Sequence, residues 1–124
     1  MNVLVDSSIW IDYFRNGKNE MLDQLIKDDI IVTNDIVLTE LIPALELQKQ
    51  NEVITSLLQI DLIPLNTDWD LIRRYQLLNL RKGINNVGIP DLLILQQVIE
   101  SNLTLLTLDK HFELMRNHLN FNLL

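Results

Sequence analysis

The sequence predicts an α/β fold in which a central, mainly parallel sheet lies between two layers of helices. Three observations lead there. Short apolar runs (Val3-Leu4-Val5, Ile30-Ile31-Val32, Leu62-Ile63 and Leu103 to Thr107) alternate with longer stretches whose apolar residues recur at helical spacing. That alternation is what parallel strands joined by crossover helices produce, with both sheet faces covered and crossovers of one hand. Finally, Asp6 and Asp109 fall at strand ends, with Glu40 and Asp91 in helices nearby. A parallel sheet lines up such positions along one edge.

Residues 2–6 read as a short buried strand. Ser7 or Ser8 can cap the helix that follows, with Ile9, Trp10, Tyr13 and Phe14 on its apolar side, and Arg15-Asn16-Gly17 ends it. A second helix near 19–28 places Met21, Leu22, Leu25 and Ile26 inward, and Ile30 to Val32 is the second strand. Thr33 or Asn34 caps the helix holding Glu40. Pro43 lies inside that pattern and predicts a kink or early break. Asn51 opens another helix with Val53, Ile54, Leu57 and Leu58 apolar, before the short strand Leu62-Ile63. Thr67 starts a longer helix in which Leu71, Ile72, Tyr75 and Leu78 share a face, and Gly83 to Ile89 is a loop. Pro90 suits a first helical position, with Asp91 to Glu100 continuing the helix. Leu103 to Thr107 is a strand, a short helix starts at Asp109, and Phe121 to Leu124 is a candidate edge strand.

The whole, 1–124, is expected to be one domain, long enough for a hydrophobic core. There is no cysteine, which excludes disulfides and thiolate metal sites. No basic segment precedes a long apolar one, and no apolar run approaches membrane-spanning length, so a cytoplasmic location and no membrane partner are expected. Ten Lys and Arg against seventeen Asp and Glu give a net charge of −7, which counts against generic nucleic-acid binding and favours a basic protein partner. A bound cation and a local basic patch would offset that debit.

Each acid has an ordinary explanation. Asp6 can hold the turn after the first strand, Glu40 can be a solvated helix residue, Asp91 complements a helix dipole, and Asp109 can cap a helix. Together they are harder to dismiss. Asp6 and Asp109 interrupt apolar surroundings, where a carboxylate is costly unless paired or metal-bound. Val37, Leu38, Leu41 and Ile42 cover much of the helix around Glu40, so it need not face water. Crowded carboxylates repel unless a cation lies between them, so a hard divalent metal and phosphate chemistry are the first hypothesis.

The segments around these acids carry a resemblance. VLVDSSIWIDYFR, LTELIPA, GIPDLLIL and LLTLDKHF occur in the order found in the PIN-domain ribonucleases. The chain most resembles the VapC-like toxins of type II (VapBC) toxin–antitoxin pairs. The resemblance implies a PIN-like three-layer α/β/α sandwich forming a single PIN domain. It also implies an Mg²⁺-dependent endoribonuclease, with Mn²⁺ as a substitute, that inhibits translation and growth until a VapB-like antitoxin neutralises it. Asp6, Glu40, Asp91 and Asp109 match the family's metal-binding acidic quartet. Ser8 and Thr107 match polar residues beside it, and Arg15 matches a basic position that contacts RNA phosphate or an antitoxin carboxylate. Where some relatives carry a further acid, this chain has His111, which puts a fully acidic second metal site in doubt and is a candidate RNA contact. A homodimer is implied, with operator DNA reached only through the antitoxin.

Blander readings stand beside these. Arg15 is about as well explained as a solvated helix end, and a lone His such as His111 is more often structural. Arg81 and Lys82, before the Asn85 to Gly88 loop, suit a charged helix C-terminus. Trp10, Tyr13 and Phe14 fit a core or dimer surface better than a base-stacking platform. Two rival functions remain: another α/β phosphohydrolase, or a non-toxic metal-binding module of PIN type. The first is weakened because Asp6-Ser7-Ser8 is not the Asp-x-Asp of haloacid-dehalogenase-like enzymes, no acidic pair of phospho-receiver type stands there, and no Gly-rich phosphate loop occurs.

Overall fold

The computed structural model describes residues 1–124. Five parallel strands, β1 (Val3–Val5), β2 (Ile31–Thr33), β3 (Asp61–Leu62), β4 (Thr104–Leu106) and β5 (Asn122–Leu123), form one sheet in the order β3-β2-β1-β4-β5. Val3 pairs with Ile31 on one side and Thr104 on the other. Seven helices connect and cover them: α1 (Ser7–Asn16), α2 (Glu20–Lys27), α3 (Asp35–Leu47), α4 (Asn51–Leu58), α5 (Trp69–Arg81), α6 (Ile89–Glu100) and α7 (Lys110–Met115).

Strand alternation sorts the core into two. Val3, Val5 and Leu106 point to a cluster with Ile9, Trp10, Leu22, Leu25, Leu41 and Leu57, from α1 to α4. Leu4 and Leu105 point the other way, to Ile72, Tyr75, Leu92, Leu95, Phe112 and Met115 from α5 to α7. This is the three-layer sandwich expected. The chain leaves β1 toward β2 over one face and leaves β4 toward β5 over the other, so the winding reverses between β1 and β4. In open α/β sheets the crevice outside the strand ends at such a reversal is where ligands bind. Asp6 follows β1 and Asp109 follows β4, on either side of it.

Several details depart from the sequence reading. Asp6, rather than Ser7 or Ser8, caps α1, accepting from the Ser7 backbone N–H. Gly17 ends that helix at φ +69°, a left-handed conformation that favours glycine. Asn34 is the cap of α3, which runs unbroken past Pro43. Pro43 faces solvent, where water can satisfy the carbonyl it leaves without a donor, while Leu41 and Leu45 anchor the same helix in the core. In α2 only Leu22 and Leu25 are buried; Met21 and Ile26 are 50% and 47% exposed. An eight-residue helix buries one narrow stripe, and these two flank it. Asp68 caps α5 in place of Thr67, β3 starts one residue earlier than expected, and Pro90 is the second residue of α6.

Candidate metal centre

Asp6 is the best-held side chain of the site. It is 5% exposed, and an ionised carboxylate so placed needs donors. It has three. The Ser7 N–H donates to Oδ1 at 2.8 Å, and the hydroxyls of Ser8 and Thr107 donate to Oδ2 at 3.0 and 2.8 Å. Both hydroxyls are themselves oriented: the Leu108 N–H donates to Ser8 Oγ and the Asp109 N–H to Thr107 Oγ1, each at 3.0 Å. Ser8 and Thr107 therefore act as sequence reasoning placed them, beside the first acid, and they tie the end of β1 to the end of β4. A carboxylate offers about four lone-pair sites, so Asp6 keeps room for one further partner.

Glu40, on α3, sits at the open side and accepts from Ser7 Oγ at 3.2 Å. Ser7 thus bridges the first and second acids, one through its backbone and one through its hydroxyl. Its role was not read from the sequence; only the packing of α1 against α3 reveals it, although the tandem serines after Asp6 were a signal. Burial raises the Glu40 carboxyl above its ordinary range, the Ser7 bond opposes this, and the Asp6 charge adds to it.

Asp91 occupies the first turn of α6, half-buried. Its pKa is pushed up to about 6, first by burial and then by the charges of Asp109, Asp6 and Glu40 in that order. All four predicted acids are therefore close enough to act on one another. Asp109 caps α7, accepting from the His111 N–H at 2.9 Å. One ligand atom each from Asp91, Asp109 and His111 lie within 4.8 Å of one another. Arg15 is not brought to this place: it lies in the last turn of α1, nine helical residues or about 14 Å of rise from Asp6.

Crowded oxygen donors with one carboxyl held at an elevated pKa fit a hard divalent cation such as Mg²⁺ or Mn²⁺, which would relieve the repulsion. The bland roles and the functional ones coexist here, since Asp6 and Asp109 both cap helices and face the cleft.

A PIN-domain family model matches residues 3–117. The chain belongs to the PIN-domain family. No curated protein matches its sequence. Among solved structures, this PIN domain is similar to a chain of the DNA-bound VapBC complex of Salmonella typhimurium, at 17% identity and TM-score 0.80, covering 100% of this chain and 97% of that one. A promoter-bound VapBC2 of Rickettsia felis shows 22% identity and TM-score 0.78, covering 100% and 98%. VapC20 of Mycobacterium tuberculosis, a toxin that cleaves the sarcin–ricin loop, shows 14% identity and TM-score 0.63, covering 91% and 94%. At these identities the likeness establishes a shared fold.

Proposed function

We propose that this PIN domain, 1–124, is the toxin of a type II toxin–antitoxin pair and an Mg²⁺-dependent endoribonuclease, with Mn²⁺ able to substitute. The observation that carries the reading is the convergence of Asp6, Glu40, Asp91 and Asp109 at the reversal between β1 and β4, with burial and the other three carboxylates pushing Asp91 up to about 6. Asp6, Asp91 and Asp109 would hold the ion, with Glu40 at its open side. An ion held there supplies positive charge to an attacked phosphate and makes water a nucleophile at neutral pH. The protein's own part is positional. Ser8 and Thr107 fix the Asp6 carboxylate, Ser7 fixes Glu40, and the Asp109 backbone locks Thr107.

The partner reading rests on the solved VapBC relatives and on an apolar groove. Trp10, Phe14, Leu25, Ile26, Val53 and Leu57 line about 540 Å³ between α1, α2 and α4. The Trp10 indole N–H is buried there without a hydrogen-bond partner. This groove is the surface the reading assigns to a VapB-like antitoxin, with Arg15 one residue beyond Phe14 as a contact for an antitoxin carboxylate. A net charge of −7 favours a basic partner. A homodimer and indirect operator binding through the antitoxin belong to the same proposal. So does action in the cytoplasm; no helix is long and apolar enough to cross a membrane.

The test is induction of the intact chain in cells, followed by sequencing of RNA ends. Growth arrest with new, discrete RNA termini, relieved by the co-encoded antitoxin, is expected. Unimpeded growth with an unchanged RNA-end profile overturns the toxin role.

A further inference from the structure

The His111 imidazole stands where an additional carboxylate would complete an all-oxygen donor set. Its Nδ1 lies 3.4 Å from Asp109 Oδ1. That is long for a charge-assisted hydrogen bond, which runs about 2.7–2.9 Å. It is close to the separation of two neighbouring ligands on one ion with bonds of about 2.1 Å. The arrangement is held in place. His111 donates its backbone N–H to the same Asp109 oxygen at 2.9 Å, so ring and carboxylate are coupled through one turn of backbone. Asp91 completes the triplet, while Asp6 is turned toward Ser7, Ser8 and Thr107.

The geometry points to His111 as a direct metal ligand, which gives this chain a mixed carboxylate–imidazole centre that selects Mn²⁺ over Mg²⁺. The inference rests on the metal-dependent reading above and adds to it which ion the site prefers and why. Mg²⁺ demands hard oxygen donors and keeps its waters, whereas imidazole nitrogen suits transition metals. Exchanging one carboxylate for one imidazole also removes a negative charge, and Mg²⁺ depends on that charge more heavily.

The chain has two histidines, and the other is accounted for: His118 Nε2 lies 2.8 Å from Asn79 Oδ1, within the packing of α5 against α7. Nitrogen bound to Mn²⁺ in this protein therefore reports on His111. The experiment uses the untagged full chain with one equivalent of Mn²⁺ and reads ¹⁴N coupling by electron spin echo envelope modulation. Calorimetric titration with Mn²⁺ and with Mg²⁺ accompanies it. The expected result is an imidazole ¹⁴N signal that disappears in His111→Ala and His111→Asp. The Mn²⁺-to-Mg²⁺ affinity ratio should fall about tenfold in His111→Asp, which restores an oxygen donor. Mn²⁺ that binds the wild type and is lost in Asp91→Asn, yet shows no ¹⁴N coupling, overturns the His111 assignment and leaves the proposed metal centre standing. No Mn²⁺ binding by the wild type overturns both.

Discussion

Replacing Asp91 by Asn should make the metal-free protein more stable while destroying its site. Burial and the charges of Asp109, Asp6 and Glu40 raise the Asp91 carboxyl from an ordinary 3.8 to about 6. A carboxyl raised in the folded state contributes stability that is fully present below its unfolded pKa and is lost as pH rises through the folded one. At neutral pH the wild type thus carries an ionised group that the fold disfavours. Each pH unit corresponds to about 1.4 kcal/mol, so the ceiling is about 3 kcal/mol. Asp91 is half-open to solvent, and screening reduces this to about 1–2 kcal/mol. For a domain of this size that is a rise in Tm of roughly 4–8 °C. Thermal unfolding followed by circular dichroism in chelator, at pH 8 and pH 5, checks it. The gain should be greatest at pH 8 and about half as large at pH 5, where the wild type is already largely protonated at this position. Millimolar Mn²⁺ should raise the Tm of the wild type and leave Asp91→Asn unmoved. An Asp91→Asn protein less stable than wild type at pH 8 in chelator would refute the crowding argument.

Thr107→Val removes a donor to Asp6 and an acceptor for the Asp109 N–H. Stability should drop by about 1–2 kcal/mol in denaturant titration and metal affinity by about 10–100-fold in calorimetry. Ser7→Ala leaves its backbone bond to Asp6 intact and frees Glu40. RNA cleavage should fall about tenfold in single-turnover assays while stability changes by less than about 1 kcal/mol. Gly17→Ala forces a side chain into φ +69° with open space around it. A loss of about 1 kcal/mol in chemical denaturation, with unchanged metal affinity, is expected.

The sheet and its two helical layers were legible because strand and helix periods alternate cleanly and both faces are apolar. The edge strand at Asn122 was legible from a short apolar tail. The four acids were legible because topology brings strand ends together, whatever the local boundaries. What escaped is what depends on contacts between distant elements. Whether α3 survives Pro43 turns on which face the proline takes, and that is settled by how Leu41 and Leu45 pack. The capping role of Asp6 was hidden because two serines followed it, each an equally good cap by type. The link from Ser7 to Glu40 spans 33 residues, and nothing local to either announces it. Arg15 was grouped with the site by resemblance, but the length of α1 carries it to the opposite end of that helix.

The central claim is that the acidic quartet holds a divalent ion for RNA hydrolysis. Its most direct test is cleavage of total cellular RNA by the purified chain, with Mg²⁺, with Mn²⁺ and with chelator, beside the Asp6→Asn protein. Cleavage that needs a divalent ion and falls at least about a hundredfold in Asp6→Asn is predicted. Undiminished cleavage in chelator, or by Asp6→Asn, would contradict it.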